Sequence, residues 1–266
     1  MLLDAGISMG RRDRVSRELS HPASVGRAVE TGSQRAMGWN DDMAERVDAA
    51  FVQEVRSVVL LNARVLFLLG TARETGGSEL ARDLLALLDN TLRTIETARN
   101  LWRRGLLLQA GILLRSAIEG LATVVALWSN RDLHVRYRQG RFESTHAVGI
   151  ARQLLPQMGE YLATLYGIFS EHFTHMGRPY RGLLIATPEV NDDDGVRLRG
   201  FLVLLKGAYL LTDAVSEFTF FDFCTDPVYW KRQENGELIY ASVPGDEAIQ
   251  RHFGEEIRIW EEAASK

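Results

Sequence analysis

The stretch GLLLQAGILLRSAIEGLATVVALW, residues 105–128, decides the fold. It is apolar on nearly all sides, so a helix over it belongs in the centre of a larger protein or in a bilayer. Its length suits either setting. Arg115 and Glu119 stand near its middle, and each central charge costs about 2.5–3.5 kcal/mol on insertion scales. Residues 201–223 pose the same choice, with Lys206, Asp213 and Glu217 inside them. Both stretches are therefore predicted as buried helices of a bundle rather than as membrane spans.

The pattern continues on either side. Asn40 to Asp42 offers helix-capping side chains. Val47, Phe51, Val55, Val58, Val59, Val65 and Leu66 then recur at helical spacing, with Asn62 as a polar interruption. Gly76, Gly77 and Ser78 break that run, and Ser78 is the expected cap of the next helix. That helix carries Leu80, Leu84, Leu88, Leu92, Ile95 and Leu101 inward, with Arg82, Asp89 and Arg93 outward. Arg103-Arg104-Gly105 marks the junction to the central helix. Shorter helices are expected at Leu133–Tyr137, Ser144–Leu155 and Met158–His175.

Between Gly177 and Arg199 the pattern lapses. Leu183–Ala186 and Val196–Leu198 read as short strands or extended loop, and Asn191-Asp192-Asp193-Asp194-Gly195 as a plain turn. This acidic turn lacks the later bidentate Glu of a calcium loop. Beyond residue 223, Asn235-Gly236 between Val228–Gln233 and Glu237–Ser242 is a hairpin signal. Asp246–Ala264 reads as a last charged helix. The predicted fold is all-α, a helical bundle around a central buried helix at about 105–128, with a small C-terminal β-hairpin. Residues 1–40 form an Arg-rich arm without apolar period, 41–224 the bundle, and 225–266 the hairpin and last helix.

Bulk properties narrow the function classes. Six prolines among 266 residues suit long helices. One cysteine, Cys224, rules out an internal disulfide and a multi-thiolate metal site. A net charge of −4 gives no general basic field to draw the protein onto nucleic acid or anionic lipid. Met1–Ser8 carries Asp4 and no sustained apolar core, unlike a secretion signal. A soluble, cytoplasmic protein with no membrane partner is expected.

The sharpest chemical feature is Arg115 with Glu119. Their spacing of four puts both on one helix face, with Thr123 continuing that face and Ser116 beside it. Charges buried in an apolar helix must be paired or hydrogen-bonded. Two readings follow, an internal ion pair that fixes the bundle's register or a polar pocket between helices. The second feature is the pair His172 and His175, three apart and neighbours on a helix. With a carboxylate they suggest a metal site, but no clear third ligand follows in sequence, and no cofactor is expected. His175 could instead meet Glu119 and act as a general base near neutral pH. No Gly-rich phosphate loop, Gly-x-Ser-x-Gly elbow or His-Glu-x-x-His pattern occurs.

Arg103-Arg104-Gly105 followed by Leu113-Leu114-Arg115-Ser116-Ala117-Ile118-Glu119 resembles a motif of a family of uncharacterised bacterial helical proteins. In that family an apolar helix carries Arg-x-x-x-Glu, and a later helix carries Tyr, a small or polar residue, then His. The matching positions here are Tyr166, Ser170 and His175, and the resemblance spans roughly residues 85–220. The family is similar to the HEPN group of helical bundles, found in RNA-cutting toxins and phage-defence proteins. That group's nuclease motif is Arg, four to six residues, then His. Arg141 and His146 have this spacing, whereas neither His172 nor His175 has an Arg at that distance before it. The resemblance implies a bundle acting on RNA or nucleotide, with Arg115 on phosphate, His175 handling a proton, and Glu119 completing a catalytic set. The competing reading is a non-enzymatic bundle that binds a protein partner or forms a homodimer, its polar stripe purely structural.

Overall fold

Several helix boundaries fall where the sequence supplies caps and breaks. In the computed structural model, which describes residues 41–75, 77–173 and 192–241, α1 occupies residues 41–50. A single turn residue, Phe51, separates it from α2 (Val52–Glu74). The apolar period runs unbroken across this point, so the break has no signature in the pattern. Ser78 opens α3 (Glu79–Arg103), its hydroxyl accepting the amide of Ala81 at 3.2 Å. Gly105, with φ of 73°, turns the chain into α4 (Leu107–Ser129). Left-handed backbone costs glycine nothing and other residues about 1–2 kcal/mol.

Asn130 then caps α5 (Arg131–Arg138) through Oδ1, which accepts the amides of Asp132 and Leu133. A 3-10 turn at Ser144–His146 leads into α6 (Ala147–Leu154), and Pro156 stands first in α7 (Pro156–Phe173). Proline suits a helix start because its absent N–H has no partner there anyway.

The next helix corrects the sequence reading. Asp192 to Gly195 is no plain turn and Val196–Leu198 no strand; both belong to α8 (Asp192–Thr219). The helix stops at Thr219, short of Phe223, and Phe221–Phe223 forms a 3-10 turn. The expected hairpin is β1 (Trp230–Arg232) paired antiparallel with β2 (Leu238–Tyr240), Trp230 opposite Tyr240. Gly236 takes φ of 87° in its turn. The Arg-rich arm, Leu183–Ala186 and the last helix at Asp246–Ala264 lie outside the described residues.

The helical bundle is built around α4 as the sequence predicts. It packs on α3, α6, α7 and α8, and Leu114, Ile118, Leu121, Val124 and Val125 are wholly buried. The other large core side chains are Trp102 from α3, Phe169 and Phe173 from α7, and Phe201 and Tyr209 from α8. Trp102 also donates its indole N–H to the Leu198 carbonyl at 3.0 Å, locking the early part of α8 to α3. Helix α7 packs tightly on α4 at Gly111, where a Cβ would stand 2.1 Å from a ring carbon of Phe173. Only glycine permits that approach, which holds α7 against the face of α4 that carries Arg115 one turn on.

Candidate functional site

Of the charged clusters among the described residues, one centres on α4 and another on α8. The first is the one the sequence points to. Arg115 and Glu119 pair at 3.2 Å, and α7 supplies the rest. The Arg115 Nε donates to Ser170 Oγ at 3.0 Å and its Nη2 to the Tyr166 hydroxyl at 2.8 Å. That hydroxyl in turn donates to Glu119 Oε1 at 3.0 Å, and the guanidinium carbon lies 5.1 Å from the Tyr166 ring centre. Tyr166 and Ser170 are four apart and share a face of α7. Arg115 is thus gripped on one edge and over one face, while its Nη1 takes no hydrogen bond among the described residues.

Burial differs from expectation. The side chains of Arg115 and Glu119 keep 32% and 21% of their exposure, so the pair is neither sealed in the core nor loose in solvent. A partly exposed pair of this kind adds only about 0–1 kcal/mol to stability. Thr123 is not part of the cluster, because its hydroxyl bonds back to the Glu119 carbonyl. Ser116 is exposed. His175 lies outside the described residues. His172 is described, and no group of three or more His, Cys, Asp or Glu able to hold a metal occurs among the described residues. Arg141 and His146 are both exposed, and His146 pairs with Glu143 at 3.2 Å instead. Arg103 and Arg104, at the junction to the central helix, pair with Asp48 and Asp41 of α1.

The second cluster is buried outright. Asp213 and Glu217 on α8 have no exposed side-chain surface, and Arg64 of α2 binds both at 2.5 Å. Glu217 also accepts the backbone amides of Val228, Tyr229 and Trp230 at 2.7–2.9 Å. The Tyr229 hydroxyl donates to Asp213 at 3.1 Å, and Trp230 donates its indole N–H to the Ala214 carbonyl. The hairpin is therefore clamped onto α8 by one carboxylate. The sequence places Asp213 and Glu217 on one face of α8 but does not reveal Arg64 as their partner. The available signal is Arg64 itself, a cation set within the apolar stretch from Val58 to Leu69 of α2 and opposite in charge to the two carboxylates.

Compared with family models, with characterised proteins and with solved structures, the chain matches none.

Two carboxylates against one guanidinium leave this cluster one charge short of neutral. Burial pushes the Asp213 carboxyl above its ordinary range, against the opposing pull of Arg64. Burial lowers the Arg64 guanidinium, but the two carboxylates outweigh that and hold it above its usual value. A carboxyl whose folded pKa is raised binds more protons folded than unfolded. Its stabilising contribution is present at acid pH and is lost as pH rises through the folded value. The gap in unfolding free energy between the wild type and Asp213→Asn should therefore shrink as pH rises from acid to neutral, measured by urea unfolding. A gap that widens would contradict the raised value.

Two described helices are long and apolar enough to cross a bilayer by length and composition, Glu54–Glu74 and Leu107–Ser129. The more apolar window of the second is 67% buried within the bundle, as expected of a core helix, against 28% for the first. The second of the two stretches weighed from sequence, residues 201–223, is not among them.

Proposed function

We propose that the Arg115 cluster binds a phosphate group of RNA or a nucleotide, in a soluble cytoplasmic protein of bacterial stress response or phage defence. One observation carries this reading. The Arg115 guanidinium is held by Ser170, Tyr166 and Glu119, while its Nη1 takes no hydrogen bond among the described residues and the side chain keeps about a third of its exposure. A guanidinium fixed in this way offers planar donors with little ordering cost, which suits phosphate oxygens. The convergence of Tyr166 and Ser170 on Arg115 and Glu119 adds support, because these four positions carry the resemblance to the HEPN-like bacterial family. With a net charge of −4, binding is local rather than driven by a broad basic surface.

In this reading Arg115 takes the phosphate, Glu119 and Tyr166 hold Arg115 in place, and His175 moves a proton. The test is RNA cleavage by the wild type, Arg115→Ala and His175→Ala. Cleavage by the wild type that falls at least about 100-fold in His175→Ala fits general acid–base catalysis. Equal cleavage in wild type and His175→Ala removes His175 from the chemistry.

A second reading rests on the closed ring of hydrogen bonds through Arg115, Tyr166 and Glu119. Such a ring can serve only to register α7 on α4 in a bundle that binds a protein partner. Arg115→Ala would then lower stability and leave RNA affinity untouched.

A further inference from the structure

Helix α2 presents an apolar face that the bundle does not cover. Val52, Val59, Leu60, Leu66 and Phe67 keep between 47% and 73% of their exposure. At helical spacing they form one stripe about 22 Å long, flanking the exposed Arg56. Exposed apolar stripes of this kind mark interaction surfaces.

We infer that this stripe is the docking site of the chain's own segment 246–264. The first argument is the place where the described chain stops. The Ala241 amide donates to the Tyr229 carbonyl at 2.7 Å. The Tyr229 ring lies under Arg64 of α2, 5.3 Å from its guanidinium carbon. Leu60 and Phe67 stand four before and three after Arg64, so they border it on the helix surface. The described chain therefore ends on the residue whose ring packs under Arg64. Residues 242–246, five in number, extend up to about 17 Å, enough to reach the stripe.

The second argument is pattern. Ile249, Phe253, Ile257, Trp260 and Ala264 recur at steps of four, four, three and four. On a helix they make one apolar face opposite Glu247, Arg251, Glu255, Arg258 and Glu262. From Ile249 to Ala264 is fifteen steps, the same as from Val52 to Phe67. The two stripes match in length.

The third argument is area. A strip about 22 Å by 10 Å is on the order of 220 Å², well under the roughly 800 Å² per partner of a stable dimer. A tethered segment does not face that threshold, because its effective concentration is in the millimolar range.

The test places the photocrosslinker p-benzoylphenylalanine at Leu60 of the full chain. Illumination of an equal mixture of isotope-labelled and unlabelled protein is followed by mass spectrometry. The expected adduct joins Leu60 to residues 246–264 of the same isotopic chain. The double substitution Phe253→Asp with Trp260→Asp lowers its yield at least about tenfold, since two buried apolar side chains become charged. A mixed-isotope adduct assigns the face to a second copy and overturns the inference. An adduct to residues 1–40, or none, overturns it as well.

Discussion

Glu217→Ala is expected to cost about 3–5 kcal/mol of unfolding free energy. Its carboxylate has no exposed surface, binds Arg64, and accepts three consecutive backbone amides before and within β1. Alanine removes all four partners at once. The amides of Val228, Tyr229 and Trp230 lose their acceptor, and each unsatisfied buried group costs about 1–3 kcal/mol. Asp213 remains to hold Arg64, which keeps the loss from growing further. Glu217→Gln retains an acceptor oxygen and should cost distinctly less. Urea unfolding of the three proteins measures the difference. A loss below about 1 kcal/mol for the alanine variant would show that the hairpin is anchored by Trp230 and Phe218 packing alone.

Gly111→Ala is the second large effect. The added methyl would fall 2.1 to 2.7 Å from three carbons of the Phe173 ring, itself wholly buried against Phe169 and Phe201. Alanine is otherwise the better helix residue by about 1 kcal/mol, so propensity alone predicts stabilisation. Overpacking costs about 1–3 kcal/mol and should win, because a ring boxed in by two others has little room to rotate. The variant should melt at lower temperature than the wild type. The same strain parts α7 from α4 one turn from Arg115, so the Ser170 contact should loosen with it. Unchanged or raised thermal stability would mean that Phe173 repacks freely.

The contrast between these two positions shows what the sequence makes readable. The apolar run of residues 105–128, the Ser78 cap and the Asn235-Gly236 turn each encode their element locally, and each forms where the pattern predicts. The opening of α8 reads as a turn because Asp-Asp-Asp-Gly is turn-like in composition, while in the fold these residues belong to the helix. The clamp around Glu217 joins residues 11 to 153 positions apart, and no period connects α2 to α8. Gly111 reads as a weak spot in a helix until Phe173 is seen across from it.

The candidate site divides in the same way. Spacing alone puts Arg115 beside Glu119. Nothing in spacing brings Tyr166 and Ser170 to them; the packing of α7 on α4 does. The partial exposure of Arg115 runs against its apolar surroundings in sequence, since a helix apolar on nearly all sides implies a sealed pair. The proposed phosphate contact rests on this partial exposure.

The most direct measurement is the affinity for a labelled single-stranded RNA oligonucleotide as a function of salt, in the wild type and in Arg115→Ala. Phosphate contact by Arg115 predicts weaker binding by the variant at every salt concentration. The slope of log affinity against log salt should also fall in magnitude by about 0.7, one phosphate contact on a single strand. Equal affinities and equal slopes, in a variant that remains folded, would contradict a phosphate role for Arg115.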